Sequence, residues 1–137
     1  MKLSILWEYL QGGISIEALK EAISGLVKEW VETQNQGGTV FPYNYRTVEE
    51  DSKEFTIENK HVKRLCLDFL EDRLDEIELV FLGNLLLIIE FSCEECRFDS
   101  EALEDAMSSI ANPGDVGPLT KTFIQEILDK EISQGSS

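Results

Sequence analysis

The stretch from Leu74 to Phe91 sets the tightest limit on the fold. Ile77, Val80, Phe81, Leu85 and Ile88 recur at helical spacing, and Leu79, Leu82, Leu86, Leu87 and Ile89 widen that stripe until the segment is apolar nearly all round. A helix of this kind must be covered on every side, so it belongs at the centre of the molecule. A buried strand over 85–91 is the competing reading, because short apolar runs do not separate the two. The periodic stretch runs to about 18 residues, which is long for a strand and ordinary for a helix.

The flanking segments read as helices too. Leu3, Leu6, Trp7 and Leu10 lie at i, i+3, i+4 and i+7, and Gly12-Gly13 stops that helix. Ser15 is placed to cap the next one, with Ile14 and Leu19 at the spacing of a hydrophobic staple. Leu19, Ile23, Leu26, Val27 and Trp30 continue its apolar face. Residues 34–46 carry glycines and Pro42, break the helical pattern, and leave a short extended segment allowed near 39–45. Thr47 and Glu50 fit a capping box, which predicts a helix from there to about Arg73. Val48, Phe55, Val62, Leu65, Cys66 and Phe69 would mark its buried face, with a break allowed at 52–56. Asp99 or Ser100 caps a further helix with Leu103, Ala106, Met107 and Ile110 inward, ended by Asn112-Pro113-Gly114. Phe123, Ile124, Ile127 and Leu128 define a last one. The expectation is an all-α fold, a single-domain bundle of about six helices over 1–132 with a disordered tail at 133–137.

Charge is the second strong feature. The chain has 12 Lys and Arg against 27 Asp and Glu, a net charge of −15. Between Asp68 and Asp105 lie thirteen carboxylates and two cations, so thirteen minus two leaves −11 of that excess in one stretch. Such a concentration opposes compaction, and a basic partner would offset it. Added Asp and Glu also favour solubility, which is the plainer explanation of acidity as such. Nucleic acid and anionic lipid are excluded as direct partners on charge. Asp68, Glu71, Asp72 and Asp75 fall at i, i+3, i+4 and i+7 and would share one helical face. Glu76 adjoins them, and Glu101, Glu104 and Asp105 share a face of the next helix. If these surfaces converge, they form one acidic groove. Tyr43 and Tyr45, in the irregular segment, are candidate aromatic anchors for a partner, with packing onto the core as the alternative.

Chemistry-bearing motifs are few. Cys93-Glu94-Glu95-Cys96 is a Cys-x-x-Cys, and with Cys66 and His61 it could supply four zinc ligands. Cys66 sits on an apolar face and reads as a small hydrophobe, and His61 among charged residues reads as solvated. The two glutamates would raise a thiol pKa, where redox cysteines need it lowered. Asp68, Asp72, Asp75 and Glu76 lack the loop of a calcium site. No nucleophile elbow, phosphate loop or His-Glu-x-x-His occurs. The expectation is therefore no enzyme, no cofactor and no metal. The first residues do not read as a signal peptide, and the odd number of cysteines does not suggest a secreted disulfide framework.

In overall pattern the chain resembles small bacterial immunity proteins of polymorphic-toxin or contact-dependent growth-inhibition systems. The residues that carry the likeness are Leu6-Trp7-Glu8-Tyr9-Leu10 with Gly12, Gly13, Ile14 and Ser15, then Leu79 to Leu87, then Asn112 to Thr120. The resemblance implies a cytoplasmic, non-catalytic protein that binds one cognate toxin domain and blocks it. A nuclease with a basic substrate-binding surface is the toxin that suits an acidic inhibitor. The expected contacts are Asp68, Glu71, Asp72, Asp75, Glu76, Glu101, Glu104 and Asp105, with Tyr43 and Tyr45 beside them, on a chain that is a monomer or weak dimer when alone. The alternative class is an acidic chaperone or adaptor for a secreted or regulatory protein.

Overall fold

A computed structural model describes residues 3–35, 55–92, 96–111 and 120–129. The all-α class is borne out: the described residues form six helices and one pair of three-residue strands. The expected extended segment near 39–45, the Thr47–Glu50 box and the tail lie outside them. Contacts along the chain group into two compact units, 1–53 and 54–137.

The first unit is a helical hairpin, α1 (Leu3–Leu10) and α2 (Ile16–Asn35), packed on each other. Gly12 takes φ 85°, a conformation open to glycine at little cost. That lets the Gly12 N–H donate to the Tyr9 carbonyl at 3.0 Å and the Gly13 N–H to the Glu8 carbonyl at 2.7 Å, a Schellman closure. Ser15 caps α2 as its position predicts: its Oγ accepts from the Ala18 N–H at 3.2 Å. Leu6, Trp7, Tyr9, Leu10, Leu19, Ile23 and Trp30 are buried.

The second unit runs β1 (Phe55–Ile57), α3 (Asn59–Leu70), α4 (Glu76–Ser92), β2 (Cys96–Phe98), α5 (Glu101–Ala111) and α6 (Lys121–Ile127). The helix expected to reach Arg73 from Thr47 begins only at Asn59. Phe55 is buried as the apolar pattern required, but on one side of a strand together with Ile57, with Thr56 half-exposed between them. β1 pairs in parallel with β2, matching Phe55 to Cys96 and Ile57 to Phe98. The Asp99 N–H extends the ladder to the Ile57 carbonyl at 2.8 Å.

The contest between helix and strand at 85–91 is decided for helix. Leu79, Phe81, Leu82, Leu85, Leu86 and Ile89 of α4 have no exposed surface. Each such burial contributes about 1.5–3 kcal/mol before the entropy of ordering is charged against it. Leu103, Ala106, Met107 and Ile110 face inward from α5, and Ile124, Ile127 and Leu128 from the last helix and its end, as the spacing predicts. Ser100, rather than Asp99, caps α5 through its Oγ, which accepts from Leu103 at 3.3 Å.

One glycine sets how α4 and α5 meet. A Cβ on Gly83 would lie 3.3 Å from both the Ala111 Cβ and the Met107 Sδ, so its absence lets α5 approach closely. Beside it, the Asn84 side-chain amide donates to the Ala111 carbonyl at 3.1 Å and to the Val80 carbonyl at 3.0 Å. The last carbonyl of α5 thereby gains the partner that a helix end lacks.

Candidate functional site

Much of the acidic stretch is committed to building the turn between α3 and α4. The α3 helix stops at Leu70, and Asp72 takes φ 64°, a left-handed conformation that Asp tolerates better than most residues. The Asp72 N–H donates to the Phe69 carbonyl at 3.1 Å and the Arg73 N–H to the Asp68 carbonyl at 2.8 Å, the same closure that Gly12 makes in α1. Asp68, Glu71, Asp72 and Asp75 therefore do not share a helical face, because the helix that would align them has ended.

Each of these side chains has local work. Asp68 is buried, with 5% exposure, and pairs with the Arg73 guanidinium at 3.3 Å. Glu71 meets the same guanidinium at 2.9 Å. Asp72 holds Lys121 of α6 at 2.9 Å. Asp75 and Glu78 form a reciprocal box at the start of α4: the Asp75 Oδ1 accepts from the Glu78 N–H at 2.7 Å, and the Glu78 Oε1 accepts from the Asp75 N–H at 3.0 Å. Asp-x-x-Glu before an apolar run is a legible capping signal. Glu76 is exposed in the first turn of α4, where the helix dipole favours it.

The remaining carboxylates gather at the other end of α4. Glu90 is fourteen residues beyond Glu76, about 21 Å along the axis, so the two groups do not converge into one groove. Seven residues separate Gly83 from Glu90 and seven separate Glu104 from Ala111, so the contact at Gly83 fixes an antiparallel register that brings Glu90 opposite Glu104. Burial, then the Glu104 charge and hydrogen bonding with its side chain, raise the Glu90 pKa from the usual carboxylate value. Glu101 and Asp105 are exposed on α5, with Asp99 exposed just before it. Glu94 and Glu95, like Tyr43 and Tyr45, lie outside the described residues.

No family model, curated protein or solved structure matches this chain. The reading of its surface rests on its own residues.

His61 is not solvated. It is 2% exposed and stacks near Phe55, with ring centroids 5.1 Å apart. Its Nδ1 accepts the Glu58 N–H at 2.9 Å at the start of α3, so the ring is neutral with its proton on Nε2. Nε2 has no hydrogen-bond partner among the described residues. Burial, followed by the neighbouring Lys60 charge, lowers the His61 pKa, with Glu58 opposing. Cys66 is buried as its apolar face predicts, and burial pushes its thiol up to about 12. Cys96 is buried in β2. Among the described residues no three His, Cys, Asp or Glu side chains come together as a metal site, and no helix is long and apolar enough to cross a membrane.

One face of α3 is basic. Lys60, Lys63, Arg64 and Leu67 lie at i, i+3, i+4 and i+7 on α3. With Asp68, Glu71 and Arg73 they line an open cleft of about 290 Å³. The sequence signal is a window, 60–67, with three cations and no carboxylate.

Proposed function

We propose that this chain is a non-catalytic binding protein that docks a basic protein on the acidic end of α4 and α5, in the manner of a cytoplasmic immunity protein neutralising a toxin domain such as a nuclease. The observation that carries this reading is Glu90 opposite Glu104. Packing brings two like charges together beside Glu101, Asp105 and Asp99, at a cost to the folded chain. A Lys or Arg from a partner, set between the two carboxylates, would offset that repulsion with a charge-assisted pair. The carboxylates of the α3–α4 turn, engaged in caps and internal pairs, contribute the long-range field. Glu101, Glu104, Asp105 and Glu90 are accordingly the leading contacts, ahead of Asp68, Glu71, Asp72 and Asp75.

The test starts with the partner retained from the source cell and eluted by salt. Its affinity is then measured against wild type, E101K/E104K/D105K and a control, E71Q, at low and high salt. Loss of about tenfold or more for the triple variant alone, with a weaker salt dependence, supports the reading. Equal losses in the control and the triple variant, or an affinity indifferent to salt, would overturn it. A partner bound equally by the triple variant and retained in high salt would point to the chaperone or adaptor class instead.

A further inference from the structure

The basic face of α3 is out of keeping with the rest of the molecule. Twelve cations are set against 27 carboxylates along the chain, yet Lys60, Lys63 and Arg64 stand together with no acidic residue between 60 and 67. Lys60 and Lys63 are exposed and Arg64 is half-buried. Leu67, on the same face one turn further, is 40% exposed and is one of two large apolar side chains exposed among the described residues. The N-cap of α3 is Glu58, whose carboxylate lies 3.8 Å from the Lys60 amine in an exposed pair that leaves the amine open to solvent. At the far end of the cleft Arg73 is held by Asp68 and Glu71. The cleft is therefore lined by four cations, two carboxylates and Leu67.

We propose that this face of α3 docks an acidic amphipathic helix of a partner protein, its carboxylates set on the exposed Lys60 and Lys63 and one apolar side chain set on Leu67. Lys60 to Leu67 spans about 10 Å of axis, which two helical turns of a partner match. A nucleic acid fits less well. Its dense charge would meet the −15 of the whole chain, and it offers Leu67 no apolar side chain. The cleft is lined from α3 and the turn after it, whereas the contacts proposed for a basic partner lie on α4 and α5.

The test is fluorescence anisotropy on the full chain. The probe is a labelled helical peptide of two to three turns with glutamates at i, i+3 and i+4 and leucine at i+7. A scrambled peptide of the same composition and a short single-stranded RNA serve as competitors. The patterned peptide should bind, the scrambled one about tenfold more weakly or worse. K60E/K63E should lose binding by a similar factor and L67S by several-fold, with R97Q, a cation outside the cleft, unchanged. Circular dichroism and Tm establish that each variant is folded, and K60Q/K63Q replaces the reversal if that variant is not. The proposal is overturned if wild type does not bind below about 1 mM, if the scrambled peptide binds equally, if R97Q loses as much as K60E/K63E, or if RNA displaces the peptide more effectively than unlabelled peptide does.

Discussion

Replacing Glu104 by glutamine should make the protein more stable while weakening its binding to a basic partner. Two unit charges about 4 Å apart repel by about 1 kcal/mol in water and about 4 kcal/mol at the dielectric of a protein surface. Glu90 and Glu104 are both partly exposed, and solvent and ions relieve much of that repulsion, so a net gain of about 1 kcal/mol at neutral pH is expected. For a chain of 137 residues this is an increase of about 4 °C in Tm. The pH dependence carries the sharper signature. The Glu90 pKa is raised in the fold, so the folded state binds its proton more tightly than the unfolded chain does. Its penalty is therefore present above the folded pKa, declines as pH falls through that value, and is gone below the unfolded one. E104Q removes one cause of the raised pKa, so its advantage over wild type should shrink on acidification from neutral pH. Taking the difference between the two proteins cancels the titrating groups that do not interact with position 104. Thermal melts followed by circular dichroism at a series of pH values read both effects. A lower Tm for E104Q at neutral pH, or an advantage that does not change with pH, would refute the facing-carboxylate account.

Other substitutions test the supports of the site. G83L should cost about 1–3 kcal/mol, because the side chain must displace Ala111 and Met107, and chemical denaturation measures it. D72G should be neutral to about 1 kcal/mol stabilising, since relief of the left-handed conformation outweighs an exposed pair with Lys121, whereas D72V should destabilise. The His61 pKa is lowered in the fold, so its contribution is intact above the unfolded value and is lost as pH falls through that value toward the folded one. H61F should flatten that acid loss while costing about 1–3 kcal/mol at neutral pH for the Glu58 N–H left without its acceptor, both read from pH-dependent melts. Cys66 should resist alkylation in the native protein and react once urea unfolds it, as mass spectrometry would record.

The helices that a sequence announces are those with a cap and a long period. Ser15 with Gly12, and the apolar wall from Leu79 to Ile89, are of that kind, and both helices stand, although Ile77 is exposed and Val80, Leu87 and Ile88 are only half-buried, so α4 is not covered on every side. The strands were not legible. Three residues are too few to show a period, and Phe55 fits a helical heptad as well as it fits a strand. Asp72 misled for a related reason: a helix may close on an Asp instead of a Gly, and spacing alone does not reveal that it has done so. Asp75 and Glu78 were visible as charge, yet their capping role was equally written in the chain. The facing of Glu90 and Glu104 could not be read from spacing, because it depends on the register that Gly83 sets between two helices.

The parallel pairing of β1 and β2 has a consequence for how the chain reaches its native state. Phe55 and Cys96 are partners across 41 positions, with α3 and α4 in between. Closing a loop of that length in a disordered chain would cost roughly 3 kcal/mol of entropy, for the small reward of three paired residues on each side. The strands have no reason to meet first. They become neighbours cheaply only after α3 has folded back on α4 and shortened the path between them. Substitutions in Phe55 to Ile57 should therefore accelerate unfolding and leave the folding rate nearly untouched, while changes in the α4 core slow folding itself.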